Sequence, residues 1–240
     1  MGRYRVCVSL MPDREEDFVS LAERALDEGA DALELRLDRV IDTDTAVSVV
    51  KGVKVLGARV ISTFRSTAEG GRFEGDAGQL VRVLSAVSEH SDLVDVDLTS
   101  LSLAEIRTLV RNLGADRVLA SAHLPRGDHD VRDLMEIAER LRAYGGIVKV
   151  ITSPESADGV VSTLELYRAL DWSQGRLIAF SSGQRWSLTR PLSLVLGAPF
   201  TYAALKGREV APGQLGIGDT RKFAVFLESV KVSDVIRADR

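Results

Sequence analysis

At 240 residues, 45% of them hydrophobic, the chain is long and apolar enough for one large domain or two small ones with a sizeable core. Its net charge of -4 comes from 31 basic and 35 acidic side chains that are interspersed, so nothing marks it for nucleic acid and the expected partner is a small molecule. The single cysteine, Cys7, stands in an apolar stretch, which excludes a disulfide framework and a thiolate zinc cluster.

The chain opens with Met1-Gly2-Arg3-Tyr4-Arg5-Val6 and runs straight into a strand, with no signal-peptide core. No apolar run approaches membrane-spanning length, so no membrane association is expected and a cytoplasmic location is. Asn112 is the only asparagine, a depletion of thermolabile side chains that fits a heat-adapted source.

Short β-branched runs alternate with amphipathic helical stretches throughout. Arg5 to Leu10 is followed by a helix over Glu15–Glu28, in which Phe18, Leu21, Ala22, Ala25 and Leu26 fall at helical spacing before Gly29. The second pair is Ala32–Leu37 and Thr45–Lys51. The third is Val60–Arg65 and Asp76–Ser88, and the fourth Leu93–Leu98 and Leu103–Leu113. Val118–His123 precedes Asp130–Tyr144, and Ile147–Thr152 precedes Glu155–Leu170. Leu177–Ser181 leads to a short helix from Pro191 to Leu196, and Phe200–Leu205 to a glycine-rich loop and a last helix, Asp219–Val230. Eight strand-helix units without a long linker predict parallel strands joined by crossover helices, and hence a single (β/α)8 TIM barrel over residues 1–240. Ser9-Leu10-Met11-Pro12 after the first strand offers no glycine-rich dinucleotide turn.

A barrel carries its chemistry at the C-terminal ends of its strands. There the sequence supplies Glu34, Arg36 and Asp38 alternating with leucines, then Arg65 with Glu69 in the following loop, Asp95 and Asp97, His123, Lys149, Arg190 and Tyr202. Lys149 lies within the β-branched run Ile147-Val148-Lys149-Val150-Ile151-Thr152, where burial opposes the ammonium and favours a nucleophilic amine suited to imine formation. The competing structural reading pairs its ammonium with Asp95 or Asp97. His123, with an ordinary pKa of about 6.5, is the natural proton carrier, and Glu69 could orient it. Asp38, Asp95 and Asp97 read equally well as a structural network. His90, His123 and His129 have no zinc-ligand spacing, and neither a metal nor a cofactor is expected.

Glu34-Leu35-Arg36-Leu37-Asp38, Phe64-Arg65-Ser66 with Glu69-Gly70-Gly71, Ser121-Ala122-His123, Lys149, Thr189-Arg190 and Ala211-Pro212-Gly213-Gln214 occur in an order that resembles the type I 3-dehydroquinate dehydratases. These are Schiff-base barrels of the shikimate pathway, and the resemblance spans nearly the whole chain. It implies that Lys149 forms an imine with the ketone of 3-dehydroquinate, that His123 moves the protons with help from Glu69, and that Arg190 clamps the carboxylate. It further implies that Glu34, Arg36, Arg65 and Gln214 bind the rest of the substrate, that the loop carrying Gln214 closes over it, and that the protein is a homodimer. The chain departs from the family pattern at Ser182, where a methionine is usual, at Trp186, which replaces a small residue, and at Val210, which replaces a serine. Two alternatives to the resemblance are a class I aldolase or transaldolase-like barrel and a catalytically silent metabolite-binding barrel. Gly183-Gln184-Arg185-Trp186 makes a poor phosphate cradle for the former.

Overall fold

A computed structural model of the chain describes residues 5–40, 42–169 and 176–230. Eight parallel strands form a nearly closed (β/α)8 barrel: β1 (Val6–Leu10), β2 (Ala32–Arg36), β3 (Val60–Thr63), β4 (Leu93–Asp97), β5 (Val118–Arg126), β6 (Ile147–Ser153), β7 (Leu177–Ser181) and β8 (Thr201–Ala203). The hydrogen-bonded order is β7-β6-β5-β4-β3-β2-β1-β8, so among the described residues β7 and β8 meet at a seam without strand pairing. Aromatic rings stand along that seam: Phe180 and Tyr202 lie 6.3 Å apart, and Phe200 meets Tyr202 edge-on at 5.6 Å.

Alternation along each strand separates two cores. Outward residues such as Val6, Val8, Leu33, Leu35, Val148 and Val150 pack beneath the helices. Inward residues Cys7, Ile61, Leu119, Ile178 and Tyr202 plug the lower barrel. One step further along the same strands the inward positions turn polar, as Ser9, Glu34, Thr63, Asp95, Ser121 and Lys149, and all six are buried. At the opposite end, Asp31 accepts from the backbone N–H of Val6 at 2.8 Å and Asp92 from that of Val60 at 2.7 Å, so two aspartates each tie down the start of a neighbouring strand.

The helices are α1 (Asp17–Asp27), α2 (Thr43–Val55), α3 (Ala77–Ser88), α4 (Ala104–Leu113), α5 (Val131–Arg142), α6 (Ala157–Ala169), α7 (Thr189–Leu196) and α8 (Ile217–Ser229). All eight fall where the periodicity puts them, with shifted ends. α2 begins earlier because Asp42 caps it, accepting from the N–H of Thr45 at 2.8 Å. α7 begins at Thr189 rather than Pro191; the proline sits in the first turn, where a missing N–H costs nothing. Leu170, expected to end the sixth helix, lies outside the described residues. β5 runs on to Arg126, with an irregularity in its pairing to β6 between His123 and Arg126. β8 is shorter than the Phe200–Leu205 run implies. Among the described residues no helix is long and apolar enough to cross a membrane.

Candidate active site

The polar layer opens into a cavity of about 340 Å³ at the C-terminal ends of the strands. Lys149, His123, Glu69, Glu34, Arg36, Arg65, Arg190 and Gln214 all line it, so the eight residues singled out in the sequence converge on one site. Register explains the central pair. Ser121 lies opposite Lys149 and His123 opposite Ile151, so lysine and histidine point inward from adjacent strands, one step apart.

Lys149 is buried, as its surroundings imply, and its Nζ contacts Asp95 Oδ2, the pairing that the structural reading anticipates. Glu34 Oε1 lies 3.5 Å from the same nitrogen and the Tyr202 hydroxyl 3.3 Å, with the tyrosine ring centroid at 4.7 Å. Asp95 Oδ2 also accepts from Arg65 at 2.9 Å, while its Oδ1 accepts from Ser121 Oγ at 2.6 Å. Burial opposes the Asp95 charge, but Arg65 and Lys149 outweigh it and hold the carboxyl down at about 2. Glu34 is fixed from the other side by Ser9 Oγ at 2.6 Å and Thr63 Oγ1 at 3.2 Å.

Arg65 is the hub. Burial disfavours its charge, yet Asp95, Asp97, Glu34 and Glu69 hold the guanidinium firmly protonated. Its Nη1 donates to Ser121 Oγ at 2.8 Å and to His123 Nδ1 at 2.6 Å. Burial, together with Arg65, Lys149, Arg36 and Arg190, pushes the His123 pKa well below the usual range, so the imidazole is neutral at neutral pH. Glu69 does not hydrogen-bond the ring; its Oε2 is 3.8 Å from Nδ1 and accepts instead from the His123 backbone N–H at 2.8 Å. Its Oε1 accepts from the N–H and hydroxyl of Thr99. Burial and the charge of Asp97 raise the Glu69 pKa.

Arg190 is built differently. It is buried, with its guanidinium 4.3 Å from the Phe180 ring centroid, and its hydrogen bond to a protein acceptor is a long one, 3.4 Å to the Pro212 carbonyl. Among the described residues its Nε has no partner. Burial draws its pKa down to about 10, which still leaves it charged at neutral pH. A buried guanidinium with spare donors over a cavity is a receptor for a planar anion.

Of the remaining residues, Arg36 lines the cavity but is chelated by Asp38, accepting through Oδ1 at 3.1 Å and also through Oδ2. Asp38 itself accepts from the N–H groups of Arg65 and Arg72 and braces the loop after β3, so of the three alternating charges only Glu34 and Arg36 reach the pocket. Gln214 points its Oε1 back at its own loop, accepting from Val210 N at 2.7 Å and Ala211 N at 3.2 Å. Sequence reasoning gives no role to Ser9, Thr63 and Ser121, which fasten the charged layer. Their signal is a polar residue at an inward strand position, in register with a charge on the next strand.

The three departures from the family pattern cluster on one side. The N–H of Gly183 and the hydroxyl of Ser182 donate to the Pro212 carbonyl at 3.2 and 3.4 Å. Trp186 donates from its ring to the Pro154 carbonyl at 3.0 Å, tying the β7–α7 turn to the β6–α6 loop, and Val210 stands at the cavity rim.

A profile of the type I 3-dehydroquinase family matches residues 6–229, a span that holds nearly the whole barrel and the eight residues singled out in the sequence. The chain belongs to that family. It is 31% identical over 219 residues to the 3-dehydroquinate dehydratase of Methanothermobacter thermautotrophicus, covering 91% of this chain and 95% of the relative. With that of Methanopyrus kandleri it shares 32% over 214 residues, 88% of this chain and 94% of the relative. The fold agrees with a solved 3-dehydroquinate dehydratase from Geobacillus kaustophilus at TM-score 0.82 and 23% identity, covering 95% and 92% of the two chains. A Clostridium difficile type I enzyme solved with covalently modified comenic acid gives TM-score 0.83 at 20% identity, covering 96% and 94%. Membership in this family removes the aldolase alternative.

Proposed function

We propose that this type I 3-dehydroquinase dehydrates 3-dehydroquinate to 3-dehydroshikimate in the shikimate pathway through an imine on Lys149, with His123 as acid and base. The observation that carries the reading is the inward pair on β5 and β6: a buried amine and a neutral imidazole lining one cavity. Attack on the ketone requires Lys149 to shed its ammonium proton. Asp95, held at about 2, is a poor acceptor for it, and Glu34 is the other carboxylate near that nitrogen, 3.5 Å away. The imine then withdraws electrons from the adjacent carbon, His123 removes a proton there, and the protonated imidazole returns it to the departing hydroxyl. Imine formation releases one water and the departing hydroxyl leaves as a second; hydrolysis of the product imine consumes one, which frees 3-dehydroshikimate and the Lys149 amine.

Arg190 receives the substrate carboxylate with its spare N–H groups. Glu34, Arg36, Arg65 and Gln214 face the hydroxyl-bearing side, and Glu69 supports His123. The loop from Leu205 to Gly216 acts as the lid; Gly213, at φ +74°, lies so near the Gly183 carbonyl that a Cβ would come within 2.3 Å of it. The reading takes the chain as one barrel domain, working in the cytoplasm on a small molecule and binding no nucleic acid. It also makes the protein a homodimer. Phe223, Phe226 and Val230, spaced along one side of α8 and its C-cap and 38%, 59% and 50% exposed, support that assignment, although no such stripe is apparent in the sequence.

The test is a turnover assay on 3-dehydroquinate followed by the absorbance of the conjugated enone. The chromophore should appear and should persist in the presence of a chelator. A silent metabolite-binding barrel would give none.

A further inference from the structure

His123 stands between two groups that want opposite things from the same nitrogen. Arg65 Nη1 is 2.6 Å from Nδ1, and a guanidinium can only donate. Nδ1 must therefore present its lone pair to the arginine, which leaves the proton of the neutral ring on Nε2. In that form the imidazole has no free lone pair to offer the cavity, and a base for carbon acids needs one. Glu69 Oε2 lies 3.8 Å from Nδ1 and 3.8 Å from Arg65 Nη1, closing a triangle around the nitrogen. A carboxylate can only accept, so a bond to Glu69 requires the proton on Nδ1 and frees the Nε2 lone pair. Glu69 is anchored for that part, since Thr99 holds one of its oxygens and the His123 backbone N–H the other.

We propose that Arg65 and Glu69 compete for Nδ1 of His123: the arginine parks the imidazole as the Nε2–H tautomer, and its capture by a substrate hydroxyl releases Nδ1 to the glutamate. The exchange conserves protons, because the ring yields one from Nε2 to water and takes one from water at Nδ1. Two features make Arg65 the movable member. It lines the cavity, so a ligand can reach it, and among the described residues its buried Nε has no hydrogen-bond partner in the posture it holds here. Arg65 is then a positioning residue that makes the base available only when substrate is bound, which protects the site from idle proton exchange. The inference rests on His123 being the base.

Nitrogen NMR of labelled histidine reads the tautomer directly, and the chain has three histidines to assign. The protein without added ligand, above the ordinary histidine pKa range, should show His123 as the Nε2–H tautomer. After borohydride reduction of a mixture with 3-dehydroquinate, the adduct on Lys149 should show Nδ1 protonated. Arg65→Gln without ligand should already carry the proton on Nδ1. Finding Nδ1 protonated in the unliganded wild-type protein overturns the proposal, as does an adduct in which Nδ1 stays bare. Failure of Lys149 to take up any adduct is a different result: it refutes the imine chemistry proposed above, while the unliganded spectrum still decides whether Arg65 holds the ring.

Discussion

The two sides of the barrel mouth are built on opposite plans. From β1 to β6 the inward carboxylates are saturated: Asp95 receives Arg65, Lys149 and Ser121, Glu34 receives Ser9 and Thr63, and Asp38 chelates Arg36. On the other side β7 and β8 do not pair with each other, and the guanidinium of Arg190 reaches the protein through a long bond to the Pro212 carbonyl rather than through a carboxylate. The lid there rests on glycine. Preorganised charge costs no reorganisation when the reaction occurs, so the saturated side suits chemistry, whereas spare donors and a loose seam suit capture and release. The departures at Ser182, Trp186 and Val210 all fall on the loose side, where affinity can be retuned without disturbing the lysine and histidine.

Substitutions on the two sides should fail in different ways, and the largest effect belongs to the saturated side. His123→Ala should lower kcat by about 10²- to 10⁴-fold, the usual contribution of a general acid-base group, with imine formation still detectable by trapping. If trapping vanishes as well, the histidine does more than move the carbon-bound proton. Asp95→Asn comes next. It leaves Arg65 and Lys149 buried without their counter-charge, and breaking such a pair costs about 3–5 kcal/mol, measurable as a lower urea midpoint.

On the loose side, Arg190→Ala should raise KM about 10- to 100-fold, the scale of a hydrogen bond to a charged group at ~1.5–3 kcal/mol, with kcat much less affected and stability hardly reduced. An equal fall in the urea midpoint for Arg190→Ala and Asp95→Asn would erase the distinction between the sides. Gly213→Ala is milder. The new methyl meets the Gly183 carbonyl at a positive φ, so the lid must reseat and KM should rise several-fold at unchanged melting temperature.

The smallest effect is in pH dependence. His123 is held neutral in the fold, so as pH falls below its unfolded value of about 6.5 only the unfolded chain gains a proton there. Stability from this group is therefore full above that pH and declines on acidification, by at most ~1.4 kcal/mol per pH unit. Comparing urea melts of wild type and His123→Ala across that window isolates the contribution; a wild-type slope no steeper than the variant's would mean the imidazole titrates normally.

The barrel was legible because period-two and helical patterns alternate eight times without interruption, and the inward convergence of Glu34, Arg36, His123 and Lys149 followed from parity along the strands, whereas Arg65, Glu69, Arg190 and Gln214 lie beyond the strands, where parity says nothing. Parity could not supply partners. Lys149 reads as desolvated from its β-branched neighbours, but its bond to Asp95 depends on the stagger between β4 and β6, two strands apart in the sheet. Glu69 reads as a partner of the His123 ring; it sits on a short turn, Thr67–Glu69, whose placement is set by backbone bonds from Arg65 and Ser66 to Asp38 and Asp97. Local sequence does not reveal that the amide oxygen of Gln214 staples its own loop. The β7–β8 seam was likewise hidden, since Phe200–Leu205 carries strand-forming residues beyond the three that pair.

Mass spectrometry after borohydride treatment bears most directly on the buried amine. Protein reduced in the presence of 3-dehydroquinate should carry one ligand-derived mass on the peptide containing Lys149, and Lys149→Ala should carry none. A label that persists in Lys149→Ala, or that maps to another lysine in the wild type, would contradict the assignment of this nitrogen as the group that captures the ketone.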